Sequence, residues 1–437
     1  MRYVFVLSLS SALTFAAPPS ALAQRSTAGA PVTPSDRGAS VEETPPVWIA
    51  TRDGFRELRV RVAHGEDSLD GPTHLAVEAV TDDVRIGRED LVGQRVTVGV
   101  RHSAGTLLRN GTVVDARVSV GVSPDTQERE AFVLLQIEDD LHRLRRAVRS
   151  AMYEAVTDVE ALEATFARHP DVSVELRVRR ALPVRAHVAQ YEESDFGFVY
   201  RLADRSGLVI RTEHRAHGHT IVVEDADFVP RVRTTLTVGE QLERIDVNAM
   251  RGPSGYLLYD GDHLARALRP GARVEQAVAL RVAPEGSAAA LRRRAAALLA
   301  AANAPIVSAS GEIPGEIGTR VRVRGAESSE ANADFRVVRQ SWMAAGPMGV
   351  RVDMELRAAE VPLVVMHRNP PGVGMQSAEV LRVEGARARL RLDWTPDGRG
   401  RFPECWVALD GLEPPRPGAR VHLGFEHGDP ERPFLLR

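Results

Sequence analysis

The sequence has little cysteine, few aromatic residues, almost no net charge and no lysine. Cys405 is the one cysteine in 437 residues, so the chain cannot form an intrachain disulfide or a thiolate metal cluster of its own. Aromatic residues make up 5%, too few to predict stacking platforms for single-stranded nucleic acid. A net charge of −3 gives no general attraction to nucleic acid or to anionic membranes. We attribute the arginine-only basic content to GC-rich coding bias rather than to selection for bidentate recognition.

Long apolar runs are also missing, except near the start of the chain. A basic residue precedes the apolar run Tyr3–Ala17, and Ala21–Ala23 forms a small-x-small cleavage site before Gln24. This pattern predicts a secretory signal peptide over residues 1–23, with a core helix as the alternative. Residues 24–47 are rich in Ser, Thr, Pro, Gly and Ala and are predicted to be a disordered linker. No other segment reaches about 18–20 apolar residues, so we predict no integral membrane segment.

Catalytic motifs are absent as well. The sequence contains no G-x-S-x-G, H-E-x-x-H or P-loop pattern, so we predict no enzyme activity, no metal and no cofactor. One cluster has two interpretations. His214, His217 and His219 lie beside Glu213, close enough in sequence to reach a single ion if the turn curls inward. We favour the other interpretation, a turn of solvent-exposed histidines.

Hydrophobic periodicity predicts a mainly β chain with a few helices, a β-rich α+β fold. Short alternating segments recur from Trp48 to Asp139, as expected for a small barrel or sandwich. Asn110-Gly111 is predicted to form a tight hairpin turn between two of these strands. Five short strands between Ser377 and Arg437 predict a second, OB-type barrel.

Outside the stretch Gln190–Ala226, three segments have helical spacing. Asp140–Ser150 and Asp158–His169 follow the first group of strands, and Thr157 with Glu160 forms a capping box for the second. Ser287–Asn303 is rich in Ala and Leu, which are strong helix formers. Its three consecutive arginines, Arg292–Arg294, are predicted to form a solvated face rather than an anion site.

The stretch Gln190–Ala226 is predicted to be a helix followed by a β-hairpin. Ser194 can accept a hydrogen bond from the first turn of the helix, and Gly207 follows where a left-handed residue would end it. The hairpin strands are predicted at Leu208–Thr212 and Thr220–Val223.

This stretch also carries a family resemblance. Gln190–Phe196, Phe198-Val199 and Arg201-Leu202 resemble the "QY-x-ESD-x-x-F-x-x-R-L" signature of VgrG, the hub–spike protein of type VI secretion and related contractile phage-tail systems. The strand His219–Val223, with Asp225 after it, is similar to the "HTLVL-x-D" strand of that family.

A second match lies at the other end of the chain. Arg416–Val421 and Phe425–Pro433 resemble the family segment "PR-x-G-x-x-V-x-V-x-F-x-x-GDP-x-RP". Cys405–Val407 is similar to a "CWVRV" strand, and Leu392–Trp394 is similar to an "FPWD" turn. The two specific matches occur in the order that the family has.

The resemblance implies a structural role, not a catalytic one, for the matched positions. They are Gln190, Tyr191, Glu193, Ser194, Asp195, Phe198, Arg201, Leu202, His219, Trp394, Trp406, Pro417, Gly418, Gly428, Asp429, Pro430, Arg432 and Pro433. Asp429 and Arg432 are predicted to pair as a local brace.

The family also implies a domain order of two barrel-like hub domains followed by a C-terminal OB-type barrel. We place the first hub domain at 48–155 and a helix and helix–hairpin insert with the signature at 156–228. The second hub domain is placed at 229–360, and the OB-fold-like spike base at 361–437.

By resemblance, the chain is a structural hub and spike-base component of a contractile injection apparatus, assembling as a homotrimer and acting mechanically. Implied partners are tube and baseplate proteins and a separate needle or tip polypeptide, since the sequence ends at Arg437 without a needle. For the needle, the alternative to a separate polypeptide is that the chain is a reduced paralogue. For the function as a whole, the alternative is an exported β-rich binding protein that retains the fold without an injection role. The signal peptide favours a periplasmic or secreted location, whereas the resemblance favours cytoplasmic assembly followed by injection.

Overall fold

The computed structural model describes most of the chain after residue 45. The described ranges are 46–51, 58–69, 71–123, 127–216, 218–248, 252–260, 262–282, 287–346, 349–363, 372–396 and 400–436. The predicted signal peptide (1–23), nearly all of the predicted linker (24–47) and His217 lie outside these ranges.

Strands dominate the described residues, as the predicted β-rich α+β class requires. In chain order they are β1 (Val47–Thr51), β2 (Arg59–Ser68), β3 (His74–Thr81), β4 (Arg95–His102), β5 (Gly105–Val122), β6 (Arg129–Glu138), β7 (Val148–Val156), β8 (Val174–Arg177), β9 (Arg185–Ser194), β10 (Leu208–Arg215), β11 (Gly218–Asp225), β12 (Val232–Thr237), β13 (Leu242–Asn248), β14 (Gly255–Tyr259), β15 (Leu264–Leu268), β16 (Val278–Arg281), β17 (Ile306–Gly311), β18 (Arg320–Arg324), β19 (Asp334–Ala345), β20 (Gly349–Ala358), β21 (Gln376–Glu384), β22 (Arg387–Leu392), β23 (Glu404–Ala408), β24 (Arg420–Phe425) and β25 (Pro433–Leu435). The α-helices are α1 (Arg88–Leu91), α2 (Asp158–Phe166), α3 (Asp195–Arg205) and α4 (Ala288–Asn303).

The largest sheet joins the two regions that were predicted to be hub barrels. Its twelve strands follow the order β1-β4-β5-β6-β3-β2-β19-β20-β17-β13, with β12 and β18 attached beside β19. The junction is the antiparallel pair β2–β19, which runs in register from Arg339 opposite Ser68 to Ala345 opposite Val62. Strands from residues 48–155 and from 229–360 therefore share one hydrogen-bonded, barrel-like sheet and one hydrophobic core.

The predicted turn at Asn110-Gly111 is wrong, because both residues lie inside the 18-residue strand β5. The chain reverses earlier, between His102 and Gly105, where Gly105 has a φ of +144°. Gly111 is needed for close approach rather than for a turn, since a Cβ there would lie 2.6 Å from the carbonyl oxygen of Glu138.

The predicted helix Asp140–Ser150 is also wrong beyond its first turns. A 3₁₀ helix covers Asp140–Arg145, with Asp139 accepting a hydrogen bond from the backbone N–H of Leu141, and β7 begins at Val148. The apolar residues Leu141 and Leu144 are three apart and both buried, a spacing that a 3₁₀ helix satisfies as well as an α-helix does.

Three smaller sheets and one strand pair complete the described chain. The hairpin β10–β11 adds β8 in parallel, and β7 pairs with β9. These strands enclose a second core together with α2 and α3. The sheet β15-β14-β16 packs on α4, and the C-terminal strands form an antiparallel sheet in the order β23-β22-β21-β24-β25.

Local capping signals are confirmed at two helices. Thr157 Oγ1 accepts from the N–H of Glu160, whose carboxylate accepts from the N–H of Thr157 and completes the capping box of α2. Ser287 Oγ accepts from the N–H of Ala290 at the start of α4. The prediction that all of Arg292–Arg294 is solvated is wrong for Arg294, which pairs with a buried aspartate in α3.

Among the described residues, no helix is both long and apolar enough to cross a membrane.

Two tryptophans cover glycines on the neighbouring strands of the large sheet. Trp48 lies opposite Gly99 and Trp342 lies opposite Gly65, and each indole ring occupies the space where the side chain of its partner would stand. An aromatic ring over a strand glycine restores the packing that the glycine lacks.

We therefore predict that Gly65→Ala destabilises the protein by about 1–3 kcal/mol, because its Cβ would overpack the core. That Cβ would lie 2.1 Å from Trp342 Cε2. The free energy of unfolding in urea measures the effect. Gly374→Ala is the matched control, because a Cβ at exposed Gly374 meets nothing within 4 Å, and equal stability of the two variants would contradict the prediction.

Candidate functional site

The signature stretch folds as predicted. Ser194 Oγ accepts a hydrogen bond from the N–H of Gly197, 3.1 Å away, and opens α3. The helix ends at Arg205 with Ser206 as its C-cap, and Gly207 adopts a φ of +64°. The hairpin that follows is longer than predicted, with eight residues in each strand of Leu208–Arg215 and Gly218–Asp225.

Asp195, at the first position of α3, is buried and fully satisfied. Its Oδ1 accepts from Arg168 Nη2 and Gln190 Nε2, both at 2.8 Å. Its Oδ2 lies 2.7 Å from His169 Nε2 and 3.1 Å from Arg149 Nε. Burial alone would raise the pKa of Asp195, but the hydrogen bonds and positive charges lower it below its usual value. This carboxylate is therefore held ionised as a structural anchor.

Arg201, one turn before the end of α3, bridges the two signature segments. Its Nη2 donates to Glu193 Oε2 at 2.9 Å and to the carbonyl oxygen of Ala189 at 2.7 Å. Its Nη1 donates to Glu431 Oε1 at 3.4 Å. Glu431 belongs to the C-terminal Gly-Asp-Pro segment, so the two matched motifs touch.

Arg205 makes a stronger bridge of the same kind. Its Nη1 donates to both carboxylate oxygens of Glu431, at 2.7 and 2.6 Å. Its Nε and Nη2 donate to Asp158, the first residue of α2, at 2.5–3.2 Å. Burial would lower the pKa of Arg205, but the two carboxylates raise it above its usual value. All three side chains are 1–4% exposed.

Together these residues form a buried charge network that joins three parts of the chain. We define it as Asp158, Arg185, Glu193, Arg201, Arg205 and Glu431. Three arginines balance three carboxylates, so the network is neutral overall. Burial would raise the pKa of Asp158, but Arg205 and Arg185 hold it well below its usual range.

Sequence reasoning missed Asp158, Arg205 and Glu431 as site residues. Asp158 lies between Thr157 and Glu160 of the predicted capping box, and no role was predicted for Arg205. Glu431 occupies the unspecified position of the C-terminal motif. Nothing local marks these three positions, because their contacts join residues up to 230 apart in sequence.

The predicted Asp429–Arg432 brace is wrong. Asp429 is buried and accepts a hydrogen bond from the N–H of Glu431 at 3.0 Å, which orients Glu431 towards α3. Burial raises the pKa of Asp429. Arg432 instead pairs with Glu426 at 2.7 Å and with Asp262 at 3.0 Å.

The aromatic signature residues tie the same elements together by packing. Tyr191 meets Trp394 with ring centroids 4.9 Å apart, and Phe198 stacks on Tyr153 at 6.1 Å. The ring of Trp406 lies beneath three arginine side chains of the C-terminal sheet.

The remaining signature residues are spread over both segments. Leu202 is fully buried in the core beneath α3. Gly418 and Gly428 adopt φ values of +81° and +76° in turns, Pro417 precedes the first of them, Pro430 follows the second, and Pro433 opens β25.

The two described histidines of the cluster, His214 and His219, lie in paired strands rather than in an exposed turn, which corrects the prediction for them. His214 is half-buried, and its Nδ1 accepts a hydrogen bond from the N–H of Asn110 at 3.0 Å. His219 is 6% exposed, and its Nε2 accepts from the N–H of Asp140 at 3.0 Å. Among the described residues, no group of His, Cys, Asp or Glu is placed to hold a metal ion.

These histidines help to attach the hairpin β10–β11 to the large sheet by hydrogen bonds. The side-chain amide of Asn110 donates to the carbonyl oxygens of Arg215 and Gly218, both at 2.9 Å, and so holds the tip of the hairpin. His214 Nε2 lies 3.2 Å from Thr73 Oγ1, which donates to Asp67 in the large sheet. Since Nδ1 of His214 faces a backbone donor, the ring is neutral with its proton on Nε2.

Comparison with known proteins shows that the chain is similar to phage-tail hub and type VI secretion spike proteins. Residues 66–232 match the family described as phage tail baseplate hub (GPD). Over 469 residues the chain is 22% identical to the type VI secretion system spike protein VgrG1b of Pseudomonas aeruginosa, covering 91% of this chain and 60% of that protein. The chain thus spans about three fifths of the length of this relative.

Solved structures share the fold. An E. coli component of the type VI secretion system, described as similar to the T4 bacteriophage tail proteins gp27 and gp5, superposes with a TM-score of 0.69 at 18% identity, covering 89% of this chain and 98% of that one. A tail protein from Neisseria meningitidis superposes with a TM-score of 0.55 at 16% identity, covering 72% of this chain and 97% of that one. The resemblance to VgrG-like hub and phage-tail spike proteins is confirmed.

We predict that Glu431→Gln destabilises the protein by about 3 kcal/mol, because it leaves buried arginine charge without its carboxylate. Urea unfolding measures the loss. Glu426→Gln is the matched control, since Glu426 pairs with Arg432 while 47% exposed, and an exposed pair contributes about 0–1 kcal/mol. A Glu431→Gln cost as small as that of the control would contradict the role of the network.

We also predict that acid weakens the attachment of the hairpin β10–β11 to the large sheet, because His214 becomes protonated. Burial, Arg109 and His219 lower the pKa of His214 well below its usual range. The unfolded chain therefore binds this proton more readily, so stability is lost as the pH falls below about 6.5, by up to about 1.4 kcal/mol per pH unit. The advantage of the unmodified protein over His214→Gln should shrink between pH 7.5 and pH 5.5.

Urea midpoints of the two proteins across this pH range test the prediction. The exposed strand residue His64 supplies the control His64→Gln, which makes the same substitution where the side chain is open to solvent. Parallel pH curves for the unmodified protein and His214→Gln would show that His214 is not the acid-sensitive group.

Proposed function

We propose that the chain is the hub and spike-base component of a contractile injection apparatus, assembling as a homotrimer and acting mechanically. The observation that carries the proposal is the match of residues 66–232 to the phage tail baseplate hub family. The contact between the signature helix and the C-terminal segment through Glu431 supports it, because it fixes the hub core to the C-terminal sheet.

A mechanical role agrees with how the polar groups are used. Glu193 and Arg201 of the signature are bound within the buried charge network, and Asp195 is bound by Arg168 and Gln190. Cys405 is buried, and burial raises the pKa of its thiol to about 12, which argues against a reactive nucleophile. We therefore propose that the chain is not an enzyme and uses no cofactor.

The trimer is supported by the edges of the large sheet. β1 and β13 end its strand order, and each pairs along only one side among the described strands. Unpaired edges invite association, and a closed ring of identical subunits would cover them without open-ended growth.

The domain division and the partners remain part of the proposal. We assign 48–155 and 229–360 to the two hub domains, 156–228 to the signature insert and 361–437 to an OB-fold-like spike base. The five-stranded C-terminal sheet supports the last assignment. Tube and baseplate proteins and a separate needle or tip polypeptide are the proposed partners, and nucleic acid is not.

A second candidate, an exported β-rich binding protein with the same fold, is favoured by the signal-peptide pattern of residues 1–23. Cell fractionation with N-terminal sequencing separates the two. A periplasmic or secreted protein that begins at Gln24 favours export, and a cytoplasmic protein with an intact start favours the hub.

We predict that the purified protein sediments with three times the mass of its 47.6 kDa chain. Sedimentation equilibrium across the micromolar range measures the mass. A monomer at every concentration would contradict the hub proposal.

A further inference from the structure

A groove of about 500 Å³ separates α4 from the signature helix. One wall is α4. The opposite wall is the loop Arg180–Pro183 before β9, and the floor is the end of α3 together with Pro362-Leu363. The size falls in the range of about 300–1,000 Å³ that small-molecule sites occupy.

The walls of the groove are mainly apolar and small. α4 contributes Ala290 and Ala297, and Leu182, Pro183 and Leu363 face them. The backbone groups of α4 bond within the helix, so the wall offers almost nothing to pair with the amides of an extended polypeptide. An apolar chain without such amides suits these walls better than a peptide does.

The charge of the lining is positive, with five arginines against two aspartates. Two of the arginines belong to the charge network, Arg180 pairs with Asp225, and Arg294 pairs with Asp204. Arg293 lines the groove, is exposed, and makes no ion pair among the described residues. A guanidinium group in this position matches a carboxylate in geometry and charge.

We propose that this groove binds a single-chain amphiphile with a carboxylate head, of the long-chain fatty acid class. The apolar chain would lie against the alanine wall of α4, and the carboxylate would pair with Arg293. This recognition is independent of the hub role, because neither Arg293 nor the alanine wall of α4 takes part in the contacts that join the two signature segments.

Isothermal titration of the full-length protein with dodecanoate, below its micelle concentration, tests the proposal. We expect one saturable site per chain, and binding of dodecanol weaker by about tenfold, since the alcohol lacks the charge. Arg293→Glu should weaken dodecanoate binding by at least about tenfold, and Ala297→Trp should abolish it by filling the groove.

Matched variants on the same helix separate these effects from general damage. Arg292 and Ala289 are exposed and do not line the groove, so Arg292→Glu and Ala289→Trp should bind dodecanoate as the unmodified protein does. Circular dichroism confirms that each variant is folded.

Several results would overturn the proposal. Binding that survives Ala297→Trp would place the ligand elsewhere, and equal affinity for dodecanol and dodecanoate would remove the carboxylate from recognition. If dodecanoate does not bind and Ala297→Trp instead changes the oligomeric mass, the groove is a contact between subunits.

Discussion

The contact of Glu431 with Arg205 and Arg201 is the interaction on which the arrangement of this protein depends. It holds the C-terminal segment against α3, while Arg205 reaches on to Asp158 at the start of α2. Taking these charges out of water is costly, and their mutual attraction returns that cost only when every hydrogen-bonding position is used. Here both oxygens of Glu431 accept hydrogen bonds from arginine. The contact therefore defines a unique position for the segment more than it adds stability.

A second, partly buried polar contact does the same for the hairpin. His214 and Asn110 join β10–β11 to the large sheet through backbone groups, which tolerate little displacement. Between them, the two contacts fix the hairpin β10–β11 to the large sheet and α3 to the C-terminal segment. An apolar interface could supply comparable energy, but it would tolerate sliding.

Local features of the fold were predictable, and distant ones were not. The caps at Ser194, Thr157 and Ser287 act within three residues, so the sequence pattern contains the whole interaction. Glu431 and Arg205 are 226 residues apart, and no local pattern distinguishes a buried pair from two surface charges. The resemblance to a family marked both segments but not their contact.

At Asn110-Gly111 the local sequence pattern was strong, but the turn it predicts does not form. The pair is typical of a hairpin turn, yet β5 continues through it because Glu138 needs the space beside Gly111 and the hairpin tip needs the amide of Asn110. The histidines were misplaced for a related reason, since polar residues near a turn were expected to face solvent. In both cases, contacts with residues distant in the sequence determined the local structure.

At Arg205 of the buried charge network, a lysine could not make the contacts that the arginine makes. Arg205 contacts Asp158 through Nε and Nη2 and Glu431 through Nη1, so one planar group serves two carboxylates on different elements. A lysine ammonium is a compact point charge on a flexible stem and lacks this fixed fork. Coding bias explains why arginine is common in the sequence. The geometry at Arg205 explains why arginine is needed at this position, whatever the origin of the bias.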